Sequence, residues 1–164
     1  MSIGRFLAGI GALVWHPPTQ TYLLLRRGGQ RDFQAGQWEC VTGRVDQGEG
    51  FAVAFARELR EEIGEAAAAA QFEFLIGATH FYRGAAMPET ELLGLLACFS
   101  LADRDAVRVS EEHSEYRWLT AAEATVLLPE NHWLVEVIAR AEVVLALAPP
   151  DLRAHWRRRG VEIF

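Results

Sequence analysis

Residues 43–65 read GRVDQGEGFAVAFARELREEIGE. Phe51, Ala52, Phe55, Ala56, Leu59 and Ile63 recur at spacings of three and four. That period predicts an amphipathic helix over this segment, with Gly64 as its stop. The polar run from Arg44 to Gly50 reads as the loop that feeds it. At about 100° per residue, Glu58, Glu61 and Glu62 fall within an arc of roughly 100°, expected to lie away from the Phe51, Phe55 and Ala56 side.

Like charges three and four residues apart repel by about a few tenths of a kcal/mol per pair, so such a cluster needs compensation. A hard divalent cation supplies it naturally, because Mg²⁺ takes oxygen ligands and keeps positions for water and phosphate. The plainer alternative is a solvated acidic face salted by Arg57 and Arg60.

Outward from this helix the chain alternates element types. Phe6 to Trp15 and Thr21 to Arg27 are β-rich runs around a Pro-containing turn. Gly28 to Gly36 reads as a loop, and Gln37 to Thr42 as a short strand ending at Gly43. Ala66 to Ala70 either extends a helix or fills space. Phe72 to Tyr82 and Glu91 to Leu101 are two longer strands expected to pair, and Trp118 and Leu119 end another. Helices are expected over Ala121 to Leu127 and Asn131 to Leu147, and the tail beyond Pro149-Pro150 reads as a solvated terminal helix or arm. This order argues an α/β fold, a mixed β-sheet between helices, in a single domain over residues 1–164.

Composition narrows the function. The 164 residues carry 22 acidic and 16 basic side chains, a net charge of -6, which disfavours nucleic-acid polymers and anionic membranes as partners. All the basic residues are Arg, which excludes a Schiff-base lysine, a Walker lysine and a kinase strand lysine. Cys40 and Cys98 lack a second thiol or His at metal spacing and read as buried free thiols. No apolar run reaches the roughly 18 residues of a membrane span, and a cytoplasmic location is expected.

The stretch from Gly43 to Gly64 resembles the signature of the Nudix hydrolases, in which Gly, Glu, Arg-Glu, Glu-Glu and Gly recur with these gaps. With this chain's composition, seven such coincidences have a chance on the order of one in 10⁵. Two positions depart from the pattern: Glu65 stands where the family places an apolar residue, and Thr42 where many members have Gly.

The resemblance implies an α/β/α sandwich and metal-dependent hydrolysis of a phosphoanhydride in a nucleoside diphosphate linked to another group, with Mg²⁺ or Mn²⁺ as cofactor. It implies Glu61 and Glu62 as main metal ligands and Glu58 as a further ligand or the base. Arg57 and Glu49 would be the pair that aims them, and the Thr42 carbonyl one more oxygen. Glu112, six residues before Trp118, resembles the loop ligand of related enzymes, ahead of Glu111 and Glu115. His113 is the histidine nearest that loop.

For substrate contacts, the resemblance points to Tyr82, Trp38 and Arg44. Tyr82 resembles the tyrosine of dinucleoside polyphosphate hydrolases, with a plain strand residue as the alternative. The run from Trp38 to Gly43 resembles that of enzymes removing pyrophosphate from dATP or dihydroneopterin triphosphate. A (deoxy)nucleoside triphosphate or related polyphosphate is therefore expected, ahead of ADP-ribose or nucleotide sugars. A non-catalytic nucleotide-binding module is the alternative from another class. The partner is a small-molecule nucleotide, and a homodimer is compatible with the family.

Overall fold

The computed structural model describes residues 5–29 and 35–163. The elements run β1 (Leu7–His16), β2 (Thr21–Arg27), β3 (Trp38–Glu39), β4 (Val41–Arg44), α1 (Phe51–Ile63), β5 (Gln71–Tyr82), β6 (Glu91–Ser100), β7 (His113–Leu119), α2 (Ala121–Leu127), α3 (Trp133–Leu147) and α4 (Pro150–Arg159). The alanine-rich run after α1 is a 3₁₀ helix, Gly64–Ala69. Of the loop expected over Gly28 to Gly36, residues 30–34 lie outside the described part.

β1 is the centre of the sheet. It runs parallel to β6, with Leu7 opposite Leu92 and Trp15 opposite Ser100. Its other edge is shared by β4, through Gly9–Ala12, and by β2, through Trp15 and His16, both antiparallel. β2 also pairs antiparallel with β3 and β7, and β5 closes the far side against β6. The expected pairing of β5 with β6 and the mixed sheet are both present. The single strand expected over Gln37 to Thr42 is instead two pieces with different partners, broken at Cys40.

Because side chains alternate along a strand, β1, β2 and β6 feed two apolar layers at once. Val14, Leu23, Leu25, Ala97 and Phe99 face the α1 side together with Phe55, Leu59 and Ile63. Leu13, Leu24 and Cys98 face the other side, against Leu134, Val137 and Ile138 of α3. Burying each large α1 side chain contributes roughly 1.5–3 kcal/mol, which fixes the height of that helix on the sheet. Both cysteines are buried free thiols. Among the described residues no helix is long and apolar enough to cross a membrane.

The tail differs from expectation. α4 is not a solvated arm: it lies on β5, where Trp156 meets Phe74 at 6.3 Å between ring centroids and Arg157 pairs with Glu73 at 3.0 Å. Glu73 is 1% exposed and sits where the β5–β6 register slips between Phe72 and Phe74. That irregularity sends Phe72 and Phe74, two residues apart, into opposite layers.

Candidate active site

The three α1 glutamates do not form one even patch. Seven residues are nearly two turns, so Glu62 returns to within about 20° of Phe55 and goes down with the apolar stripe. It is 5% exposed, whereas the Glu58 side chain is largely covered and the Glu61 side chain is more than half exposed. The expectation that all three point away from Phe55 is corrected here. Ala52 and Ala56, assigned to the stripe, are exposed.

Arg57 ties the upper two glutamates to the loop before the helix. Its Nε donates to Glu49 Oε1 at 2.9 Å, and its Nη2 donates to Glu49 Oε2 at 2.9 Å and to the Arg44 carbonyl at 2.8 Å. Nη1 donates to Glu58 Oε1 at 2.6 Å and to Glu61 Oε2 at 3.4 Å. The guanidinium, helped by the Asp46 amide, holds the Glu49 carboxyl at about 2. Glu58 shifts the other way: burial pushes its carboxyl up against the pull of Arg57.

Glu58 lies across the face of Gly43. A Cβ built on Gly43 would stand 1.8 Å from the Glu58 carboxyl carbon, so only a glycine lets this carboxylate rest on β4.

Below them lies a buried polar group centred on Glu39. Its carboxylate accepts from Arg27 Nη1 at 2.9 Å, from Thr42 Oγ1 at 2.9 Å and from His113 Nε2 at 3.0 Å. Glu62 is the contrast: its Oε2 is buried, accepts no hydrogen bond, and stands 3.9 Å from His113 Nε2. Burial, with Glu39 and Glu58 nearby, pushes the Glu62 carboxyl well above its ordinary range.

These groups open onto one cleft of about 800 Å³. Thr42, Arg44, Arg57, Glu58, Glu61, Glu62, Tyr82 and Glu112 all line it. Trp38 does not. Neighbouring residues on a strand face opposite ways, so Glu39 reaches the cleft while Trp38 packs in the α3-side layer, with the Arg117 guanidinium 5.4 Å above its ring. The cleft lining therefore does not include Trp38, the residue expected to contact substrate. Among the loop acids, Glu111 is not part of the lining, and Glu115 pairs with Arg26 and Arg117.

Arg27, Arg83 and Trp133 also line the cleft without having been singled out from sequence. Burial, with the charges of Arg44 and Arg27, lowers the Arg83 pKa. The same cleft therefore holds the α1 carboxylates and three arginines.

Among the described residues no three of His, Cys, Asp or Glu enclose a point by themselves. A cage is not required, because Mg²⁺ is bound by one or two carboxylates together with water and substrate phosphates. The donor set is all oxygen, and the unpartnered buried Oε2 of Glu62 is the kind of atom a cation would satisfy. The residues fit such an ion.

A family model described as NUDIX domain matches residues 5–141. An octanoyltransferase of Myxococcus xanthus is 34% identical over 126 residues, 76% of this chain, which spans 33% of that protein. Nucleoside triphosphatase NudI of Escherichia coli is 30% identical over 102 residues, 60% of this chain and 72% of the relative. Among solved structures, the dihydroneopterin triphosphate pyrophosphohydrolase of E. coli matches with a TM-score of 0.66 at 24% identity, covering 88% of this chain and 99% of that one.

Proposed function

The chain belongs to the Nudix family, and from that premise we propose that it is a Mg²⁺- or Mn²⁺-dependent pyrophosphohydrolase of nucleoside triphosphates or closely related polyphosphates. The observation that carries this reading is the single cleft that the α1 carboxylates share with Arg27, Arg44 and Arg83. The carboxylates suit a cation, and the arginines suit the phosphate oxygens of a chain too long for the cation to neutralise alone.

The reaction adds water across a phosphoanhydride: an O–P bond forms from water to phosphorus, the bridging P–O bond breaks, and the bridging oxygen leaves with the departing phosphate group. A bound divalent cation supplies charge neutralisation and a more acidic water. Glu61 and Glu62 would hold it, with Glu112 closing the loop side. Glu58 takes the proton from the attacking water, a role suited to a carboxylate whose burial has raised its basicity. Arg57 keeps that carboxylate on Gly43, and Arg27, Arg44 and Arg83 hold the phosphates in line. Tyr82 and Trp133, both on the cleft lining, offer faces for a base.

Tyr82 on the cleft also favours a second reading, in which a dinucleoside polyphosphate places one of its two rings there. A panel of nucleoside triphosphates, dinucleoside polyphosphates, ADP-ribose and nucleotide sugars, assayed with Mg²⁺ for released phosphate and pyrophosphate, tests both. Turnover of triphosphates at the highest kcat/KM is expected. A sugar nucleotide or ADP-ribose at least about tenfold better would overturn the substrate assignment, and binding without turnover would make the chain a nucleotide-binding module.

A further inference from the structure

The tail after residue 141 lies outside the family match, yet it returns to the helix that carries the carboxylates. α4 is fastened to β5 by Arg157 on buried Glu73 and by Trp156 on Phe74, within the α3-side layer. Beyond Gly160 the chain crosses to the opposite layer, where Val161 packs with the α1-side core. There the Glu162 carboxylate accepts the Phe51 amide at 2.8 Å and the Ala52 amide at 3.3 Å.

These are the first amides of α1, whose N-cap is Gly50, with no side-chain cap of its own and no acidic residue in the first turn. A helix start in that condition leaves amide donors and a positive dipole end unanswered. Glu162 answers both from far along the chain. Gly50 leaves room for it: a Cβ there would stand 2.8 Å from both Glu162 carboxylate oxygens.

We propose that Glu162 is a positioning residue for the active site, acting through the start of α1. Glu49 immediately precedes the capped turn and holds Arg57 through two hydrogen bonds, and Arg57 holds Glu58. Fixing Gly50 and Phe51 therefore fixes the Glu49 end of that chain of contacts. Loss of the cap lets the loop and the first turn fray, and the Glu49–Arg57–Glu58 alignment loosens although none of those residues has changed. The link from alignment to turnover rests on the proposed hydrolase activity; the cap and the alignment do not.

The test compares wild type, Glu162→Ala, Gly50→Ser and the double variant Gly50→Ser/Glu162→Ala. Gly50 has extended backbone angles that a serine adopts without strain, and serine is a strong N-cap. In the metal-free chain, Glu162→Ala is expected to speed amide exchange at Phe51 and Ala52 at least about tenfold and to speed exchange of the Arg57 Nε–H about threefold or more. Gly50→Ser alone crowds Glu162 and shifts both in the same direction. A serine Oγ at the N-cap accepts from the second or third helical amide, so the double variant returns Ala52 exchange and the Arg57 Nε–H toward wild type while Phe51 exchange stays fast. On the best substrate of the panel, Glu162→Ala lowers kcat about three- to tenfold with KM changed less than about twofold, and the double variant restores it.

Unchanged exchange at Phe51 and Ala52 would overturn the cap. Faster amide exchange with an unaltered Arg57 Nε–H, or with unaltered kcat in an active enzyme, would overturn the positioning role. A wild-type chain inert on the whole panel would refute the proposed hydrolase, while the two exchange measurements still decide this inference.

Discussion

Nε2 of His113 donates to Oε1 of Glu39 at 3.0 Å, a contact between two buried side chains separated by 74 positions. It joins β7 to β3, with His113 Nε2 3.9 Å from Glu62 Oε2. Replacing His113 by Ala removes one donor from a buried carboxylate that keeps Arg27 and Thr42. A destabilisation of about 1–3 kcal/mol is expected in denaturant unfolding, because the lost hydrogen bond is not replaced by water. His113→Gln, which can still donate, should recover part of it.

Gly43→Ala places a methyl group where the Glu58 carboxylate rests. The carboxylate must swing away, and a displacement on the scale of 1 Å costs on the order of 10² in rate, so kcat should fall by about that factor. Circular dichroism should stay unchanged, since Gly43 lies in a strand whose partner Ile10 is unaffected.

Glu62→Gln should separate stability from activity. The native Glu62 carboxyl lies above its ordinary value of 4.5, so between that value and the raised one the native chain holds a proton the unfolded chain has released. Stability of the metal-free chain therefore falls as pH rises through this window. Gln removes the Glu62 share of that slope, leaving the smaller one from Glu58, which is raised in the same direction. The variant should melt higher than wild type at neutral pH without metal, and gain nothing from Mg²⁺. Measuring thermal midpoints from pH 4.5 upward, with and without the ion, checks each part.

Glu49 titrates in the opposite sense. Its native carboxyl sits at about 2 against an ordinary 4.5, so on acidification the unfolded chain takes up the proton first. Its contribution is complete above pH 4.5 and is lost as pH falls toward 2. Glu49→Gln should flatten the acid limb of the stability curve in that range while leaving the limb above pH 4.5 in place.

Glu112 lines the cleft and Glu111 does not. Glu112→Gln should lower kcat by about tenfold or more and Glu111→Gln by less than about twofold, on the scale of a removed ion contact against a solvated one. Equal, small effects on both would remove Glu112 from the site.

What was legible from sequence follows the range of the interactions involved. The Phe51, Phe55, Leu59 and Ile63 part of the α1 stripe, its stop at Gly64 and the β-rich runs that become β1 and β6 are local patterns, and the structure reproduces them. The relation of Glu62 to Phe55 was equally local, but a stripe defined to include Ala52 and Ala56 tilted the assumed face toward solvent. Docking on the sheet then decided which edge went down. The Glu39 group joins Arg27, Glu39, Thr42 and His113 from four separate strands or their ends, so no spacing in one segment announces it. Its one local sign was an acid between Trp38 and Cys40 in an otherwise apolar run. Arg157 and Glu162 looked solvated because their partners, Glu73 and the Phe51 amide, are far away in the chain.

The parallel pairing of β1 with β6 also sets a schedule for biosynthesis. β2 and β4 leave the ribosome soon after β1, but its long parallel edge, from Leu7 to Trp15, has no neighbour until β6 has been made. At typical elongation speeds that wait is roughly 4–17 s, during which a ten-residue apolar strand is open to the same strand on a neighbouring nascent chain. Recovery of folded protein should therefore improve when initiation is spaced out, so that fewer open β1 edges stand side by side, and fall when elongation between β1 and β6 is slowed, even though the equilibrium stability of the finished chain is the same.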